Sequence, residues 1–404
     1  MSRAGSSGDL GERWRVEVHR TEAAFDELAG DWEDLLARCT AATPFQSHAW
    51  LRGWWRRYGR SGALRLAAVR RDGRLVALGM FHLVRRAVPV LAPLGEGLSD
   101  WTDVLVDAEY APGALDALAG ALVAEPGWAV LDLPEVRASS TGALQLADRW
   151  PGAVHRTSGS LCADLVARPL DDVVAAMPSA SARRNVRGAL RKIDAAGIVE
   201  TDLEPAAVPD GVRHLLALHQ EQWRERGGMT PEHGRPRFAR FLDDTVPAMV
   251  ARGQAVLTTY RLADEVVGAN LMLVGSDVVG GYLYGVRPDL FRRFNVTAMM
   301  MRSALGAATA RGVGTFSMLR GQESYKSTWQ AEARRNTRLV LGRPGRRPYA
   351  DAYAAALRAR RAAVTAAREH APRVRTSVLE LRAAVRNPRR AITTLRRRWS
   401  GRHG

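Results

Sequence analysis

The chain predicts a duplicated α/β protein: two domains in tandem, each a mixed central sheet flanked by helices, followed by a basic helical tail. Three observations predict this. Two similar strand–turn–strand patterns occur, with acidic turns at Asp72 and Asp264, 192 residues apart. Each pattern follows helical runs, and strands that alternate with single helices build mixed sheets rather than bundles. Finally, the charge is concentrated at one end: Arg343 to Gly404 holds 17 arginines against three acids, a net of +14 in a chain whose total is +17.

Taken in order, residues 1–13 are polar and predict a disordered lead-in to a first domain over 14–160. That domain has helical runs at Glu22–Leu36 and Gln46–Tyr58, then a strand from Leu64 to Arg71, a turn at Asp72 and Gly73, and a strand from Leu75 to Val84. β-branched and apolar residues dominate both strands. The second domain, 161–342, repeats the order. Its helical runs are Val212–Glu225 and Arg237–Val250, and in the former Leu215, Leu218 and Gln222 share one face. Strands follow at Ala255–Tyr260, Val266–Val274 and Val278–Val286, then a helix over Thr297–Gly312 and a short strand around Phe316. The tail, 343–404, is rich in alanine and arginine and predicts either helix in three pieces, broken at Pro372 and Pro388, or a solubilising, partly disordered end.

With 404 residues and 46% hydrophobic content, the chain is long enough for two domains with real cores. Cys39 and Cys162 lack CxxC spacing, which gives no support for a disulfide framework or a zinc site, and no metal is expected. His214 and His219 are five apart, the wrong spacing for two ligands on one helical turn. HExxH, GxSxG, Walker and GxGxxG motifs are missing, so zinc hydrolysis, serine esterase chemistry and nucleotide hydrolysis have no sequence support. The first residues lack an apolar core and no apolar run approaches about 20 residues, which predicts a cytoplasmic protein.

Chemistry-bearing residues gather behind the last predicted strand. After Gly321 come Glu323, Tyr325, Lys326 and Trp329, at the mouth left by a strand end. Lys326 stands out because only two of the 59 basic residues are lysines, the other being Lys192.

From Phe294 to Lys326 the sequence resembles the GNAT superfamily, and more closely its CelD-type acetyltransferase branch, related to the FemAB peptidyltransferases. Leu319, Arg320, Gly321, Glu323, Tyr325 and Lys326 match in register the branch's Leu-Arg-Gly-Asp-Glu-x-Tyr-Lys run. Further matches, in the same order along the chain, are Thr43 to Trp50 with Trp54 and Trp55, Ser99 to Asp103, and the arginine-rich helix start from Ser181 to Arg187. The resemblance covers about residues 14–342 and departs at two positions: Thr297 stands where the branch has glycine, and Ser317 where it has aspartate.

The resemblance implies tandem GNAT-like domains, the first a degenerate structural copy, and acetyl-CoA as the acyl donor. A helix start following the fourth strand would cradle the cofactor's pyrophosphate, since unpaired donors and the dipole favour an anion there. Arg292, Arg293, Asn295, Thr297 and Lys326 are the candidates for that contact. Glu323 is the candidate general base and Tyr325 the candidate acid for the leaving thiolate. The alternatives are that Glu323 caps a helix and Tyr325 packs with Trp329 in a core. Arg183, Arg184, Tyr282, Tyr284 and Arg320 are candidates for the acceptor amine, the first two being equally readable as a solvated basic face. A FemAB-like transfer from aminoacyl-tRNA and a non-catalytic scaffold of a polysaccharide or envelope assembly remain as alternatives. In the first the basic tail would grip tRNA; otherwise it suits an anionic membrane surface on the inner face.

Overall fold

The computed structural model describes residues 14–226, 230–321 and 325–386. One compact unit ends at Ala350 and a second begins at Asp351. Thirteen strands of the first unit join in one sheet. In the first half these are β1 (Trp14–His19), β2 (Leu64–Arg71), β3 (Arg74–Arg85), β4 (Pro89–Pro93), β5 (Leu105–Val106), β6 (Val130–Val136) and β7 (Val154–Val166). The second half supplies β8 (Ile198–Asp202), β9 (Ala255–Leu262), β10 (Glu265–Val274), β11 (Val278–Val286), β12 (Thr315–Arg320) and β13 (Glu332–Gly342). The order across the sheet is β1-β2-β3-β4-β6-β13-β7-β12-β11-β10-β9-β8, with β5 paired to β3.

The expected duplication is present in the topology. Each half is an antiparallel four-strand meander, then a helix, then a strand parallel to the fourth: β4 with β6 across helix Ala111–Ala124, and β11 with β12 across helix Val296–Ala310. Both hairpins turn where the acidic residues predict. Asp72, at φ 49°, and Gly73, at φ 81°, sit in the left-handed region that tight β-hairpins demand.

What the repeat does not predict is how the halves join. β13, the last strand, lies between β6 and β7 of the first half, and β7 lies between β13 and β12. Each half therefore completes its sheet with a strand from the other. β7 runs through residues 160 and 161, where the sequence suggests a boundary, and its antiparallel register with β13 extends from Glu332↔Asp164 to Leu341↔Val154.

One face of the sheet carries a helical layer shared by both halves. Helices Ala29–Arg38 and His48–Tyr58 merge with Val208–Arg226 and Pro236–Ala251 into one core containing Trp32, Trp50, Trp54, Trp55, Leu215, Phe238 and Phe241. The tryptophans of the Thr43–Trp50 region are thus core, as aromatic burial favours. The opposite face is divided. Helices Ala111–Ala124 and Gly142–Asp148 cover the first half, and helices Leu170–Ala175, Ala180–Ala195 and Val296–Ala310 cover the second. Gly285 shows how tightly β11 meets the shared layer: a Cβ there would stand 2.4 Å from the backbone nitrogen of His219.

Helix Arg347–Arg386 corrects one expectation, because its backbone stays helical through Pro372. A proline inside a long alanine-rich helix removes one backbone bond and clashes with one carbonyl, which kinks a helix without necessarily ending it. Pro388 lies outside the described residues. Among the described residues, no helix is long and apolar enough to cross a membrane.

Candidate functional site

The site begins where two parallel strands part. β11 and β12 pair only through Val278↔Thr315, Val279↔Phe316 and Gly280↔Ser317. Beyond that rung β12 bulges: Leu319 takes φ 54° and Gly321 φ 128°. The bend closes back on Lys326, whose buried ammonium donates to the carbonyl oxygens of Leu319 at 3.2 Å, Arg320 at 3.1 Å and Gly321 at 3.5 Å. A lysine at this position therefore braces the bulge, which explains chemically why this charge is kept inside.

On the divided face, a narrow slot of about 70 Å³ lies under the start of helix Val296–Ala310. Tyr284, Thr297, Met300, Met301, Phe316 and Met318 line it. Asn295 caps this helix, its side-chain oxygen accepting from Ala298 N–H at 3.1 Å. Arg292 and Arg293 are exposed just before the cap. Arg293 has a long 3.7 Å contact with Asp289 and stacks 5.3 Å over the Phe294 ring. A helix start with two exposed arginines beside it suits an anionic group, and the slot beneath suits an apolar chain. The Tyr284 carbonyl, on the strand that walls the slot, accepts from His219 Nδ1 at 2.8 Å.

On the shared face, motifs far apart in sequence converge. Gln46 reaches the Trp101 carbonyl at 3.2 Å, and the Trp50 indole donates to Ser99 Oγ at 2.9 Å. Tyr282 of β11 meets Trp50 edge-on, ring centres 5.1 Å apart. Asp100 then receives Arg320 twice, from Nε at 2.6 Å and from the backbone N–H at 3.2 Å. Burial works against the Arg320 cation, but the charge and hydrogen bond of Asp100 outweigh it and hold its pKa above the ordinary value. Burial also pushes the Tyr282 phenol well above its usual range, with Asp100 adding to the effect. Glu135 of β6 completes the bridge, 3.9 Å from Arg320 and bonded to Ser160 and Asn336. Arg320 thus ties the two halves together at the point where β12 leaves the sheet.

Beside this bridge is a larger cleft of about 550 Å³, lined by residues that include Trp101, Arg137, Cys162, Asp164, Asp277 and Arg334. Arg137 stacks 5.0 Å over Trp101 and holds Asp277 with contacts of 2.9 and 2.8 Å. Burial lifts the Cys162 thiol to about 12, and the charges of Asp100 and Asp164 reinforce it, so this thiol is not a nucleophile at neutral pH. Among the described residues, no cluster of three or more histidines, cysteines and acids forms a metal site.

The sequence candidates distribute as follows. Thr297 and Tyr284 meet at the slot, Tyr282 packs on Trp50 and Arg320 bonds Asp100 on the opposite face, and Lys326 stands behind the bulge. Arg183 bonds the Met177 carbonyl and Arg184 is exposed; both lie on helix Ala180–Ala195 and line neither cavity. Glu323 lies outside the described residues, as does the side chain of Tyr325, whose backbone opens the short helix Tyr325–Thr328. Sequence reasoning missed Asp164 and Glu135. The available signal was a carboxylate inside an apolar strand, as in the run from Leu161 to Val166.

Comparison with known proteins agrees with this geometry. Residues 180–327 match the family model described as an acetyltransferase (GNAT) domain. Among solved structures, FemX is similar at a TM-score of 0.57 and 12% identity, covering 81% of this chain and 97% of FemX. L-PGS from Bacillus licheniformis is similar at 0.50 and 12% identity, covering 83% and 94%. The C-terminal domain of a putative lysylphosphatidylglycerol synthetase from Agrobacterium fabrum is similar at 0.50 and 11% identity, covering 81% and 95%. No curated protein matches the sequence. The fold is that of these proteins.

Proposed function

We propose that this chain, a GNAT-superfamily N-acyltransferase, takes its acyl group from acetyl-CoA and passes it to an amine held between its halves. The observation that carries the reading is the parting of β11 and β12 after Gly280↔Ser317, directly beneath the capped start of helix Val296–Ala310. Past that rung the facing edges of the two strands lose each other as partners, and the β11 edge released from β12 suits the oxygen of a thioester. Thr297 at the helix start, with Arg292 and Arg293 beside it, would hold the pyrophosphate. The apolar wall of Met300, Met301, Phe316 and Met318 would hold the pantetheine arm.

In this reading Lys326 and Arg320 position rather than react. Lys326 fixes the bulge through three carbonyls, and Arg320 fixes the bulge to Asp100 of the other half. Tyr282, packed on Trp50, stays protonated at neutral pH and would be the phenol that gives a proton to a leaving thiolate.

A second reading follows from the narrowness of the slot. Seventy or so cubic ångströms beside Thr297 is small for a pantetheine arm, and a transfer from aminoacyl-tRNA needs no such arm. The basic tail, net +14, would then bind tRNA; under acetyl-CoA chemistry we assign it to an anionic membrane surface.

Calorimetric titration with acetyl-CoA separates the two. The first reading expects a Kd in the micromolar range, weakened at least about tenfold by Gly281→Ala, because a Cβ there enters the slot 3.4 Å from Phe316. Absence of binding by wild type and by Thr297→Gly would sink it and leave the tRNA reading standing.

A further inference from the structure

The slot and the cleft flank one short strand, the cleft reaching round the sheet to Val173 and Trp329. Along β12, Phe316 and Met318 face the slot, while Thr315 lines the cleft and Ser317 points the same way, as strand alternation requires. Ser317 Oγ donates to Asp164 Oδ1 at 2.6 Å and accepts from Leu319 N–H at 3.1 Å. Ser317 is also the last β12 residue paired with β11. The Asp164 carboxylate is therefore one hydrogen bond from the root of the opening through which the acyl donor would pass.

The cleft is lined by three arginines and three acids, and their pairing is informative. Arg137 is spent on Asp277, and Arg334 on Glu332 at 2.7 Å. Asp164 and Arg168 also line the cleft, and among the described residues neither makes an ion pair. Asp164 keeps Oδ2 without a hydrogen bond from those residues. One anion and one cation are left over on the walls of a cavity large enough for a small metabolite.

We propose that this cleft receives a small primary amine that also bears an anionic group, an amino acid or an amino phosphate in chemical class, with Asp164 binding and deprotonating the ammonium and Arg168 facing the anion. The proposal rests on the acyl-transfer reading above and deepens it. Burial raises the Asp164 carboxyl above its ordinary range, with the Ser317 hydrogen bond and the Arg137 charge pulling the other way, which moves it toward a useful base. The step balances as follows. The ammonium gives one proton to Asp164, and the freed lone pair attacks the thioester carbon, forming the C–N bond. Collapse breaks the C–S bond and the second nitrogen proton ends on the thiolate. Asp164 returns its proton to the water of the open cleft.

Two measurements test this on the full chain. Ligand-observed NMR would follow O-phosphoethanolamine, glucosamine 6-phosphate and L-alanine, with ethanolamine and glucosamine as controls. At least one zwitterionic probe should bind at least about tenfold tighter than the controls, and Asp164→Asn and Arg168→Ala should each remove that preference. The second measurement is thiol release from acetyl-CoA in the presence of the probe that binds. Asp164→Asn should lower kcat/KM about 100-fold or more and flatten its acid limb, with acetyl-CoA binding within threefold of wild type. Arg168→Ala should raise KM with little change in kcat. Failure of every zwitterionic probe to bind wild type overturns the proposal, as does an Asp164→Asn variant with wild-type turnover. If probes bind while acetyl-CoA does not, the donor assignment fails and the cleft assignment stands; the reverse pattern removes the cleft assignment alone.

Discussion

Replacing Arg320 by alanine tests the claim that one ion pair fastens the two halves where β12 leaves the sheet. The substitution separates two contacts of different kinds: the guanidinium bond to Asp100 at 2.6 Å disappears, while the backbone bond at 3.2 Å remains. Asp100 is left with its side chain only 15% exposed and without its cation. Stripping the partner from a fully buried charge costs about 3–5 kcal/mol. Arg320 is 32% exposed, so solvent screens part of the pair, and we expect about 2–4 kcal/mol. Asp100→Ala should cost a similar amount by leaving a largely desolvated guanidinium with only the distant Glu135, 3.9 Å away. The double variant should cost less than the two together by about 1–3 kcal/mol, the signature of a direct coupling. Urea unfolding of the four proteins, with midpoints and slopes fitted together, gives the cycle. Additivity within about 0.5 kcal/mol would refute the bridge as an energetic contact.

Two further outcomes follow from packing and burial. Gly285→Ala should destabilise by about 1–3 kcal/mol, because its Cβ would press on the helix backbone at His219 N and Leu215 O, 2.4 and 2.7 Å away; Gly188→Ala, on a helix with nothing within 4 Å, should be neutral or stabilising, and thermal melts compare them. Asp103 is lifted by burial from 3.8 to about 6, so the stability it contributes is full below about pH 4 and lost as pH rises through about 6. Asp103→Asn should therefore gain roughly 3 kcal/mol relative to wild type between pH 4 and pH 7 in urea titrations, and a pH-independent difference would count against the assignment.

Local features of the fold could be read from residues because their causes are local. The strand from Leu64 to Arg71 and the helix over Val296–Ala310 are written in apolar pattern and in the turn at Asp72 and Gly73. The neighbours of β7 and β13 are not, since strand pairing depends on partners about 180 residues away, as with Glu332 and Asp164 or Leu341 and Val154. The same divide runs through the site. Lys326 announces itself by rarity, but only the fold shows its ammonium turned onto three carbonyls. Ser317 reads in sequence as a lost carboxylate, whereas the sheet sets Asp164 directly across from it.

The exchanged strand has a consequence for how the protein is made. Until β13 has left the ribosome, the first half has β6 and β7 with a vacant lane between them, bordered by Leu131 and Leu133. Synthesis at about 5–20 residues per second leaves that lane open for roughly ten seconds or more after β7 emerges. An unpaired apolar edge held that long invites pairing with another nascent chain. A gene cut between the halves would make the vacancy permanent, so the two halves should be recovered together, by co-expression, or scarcely at all.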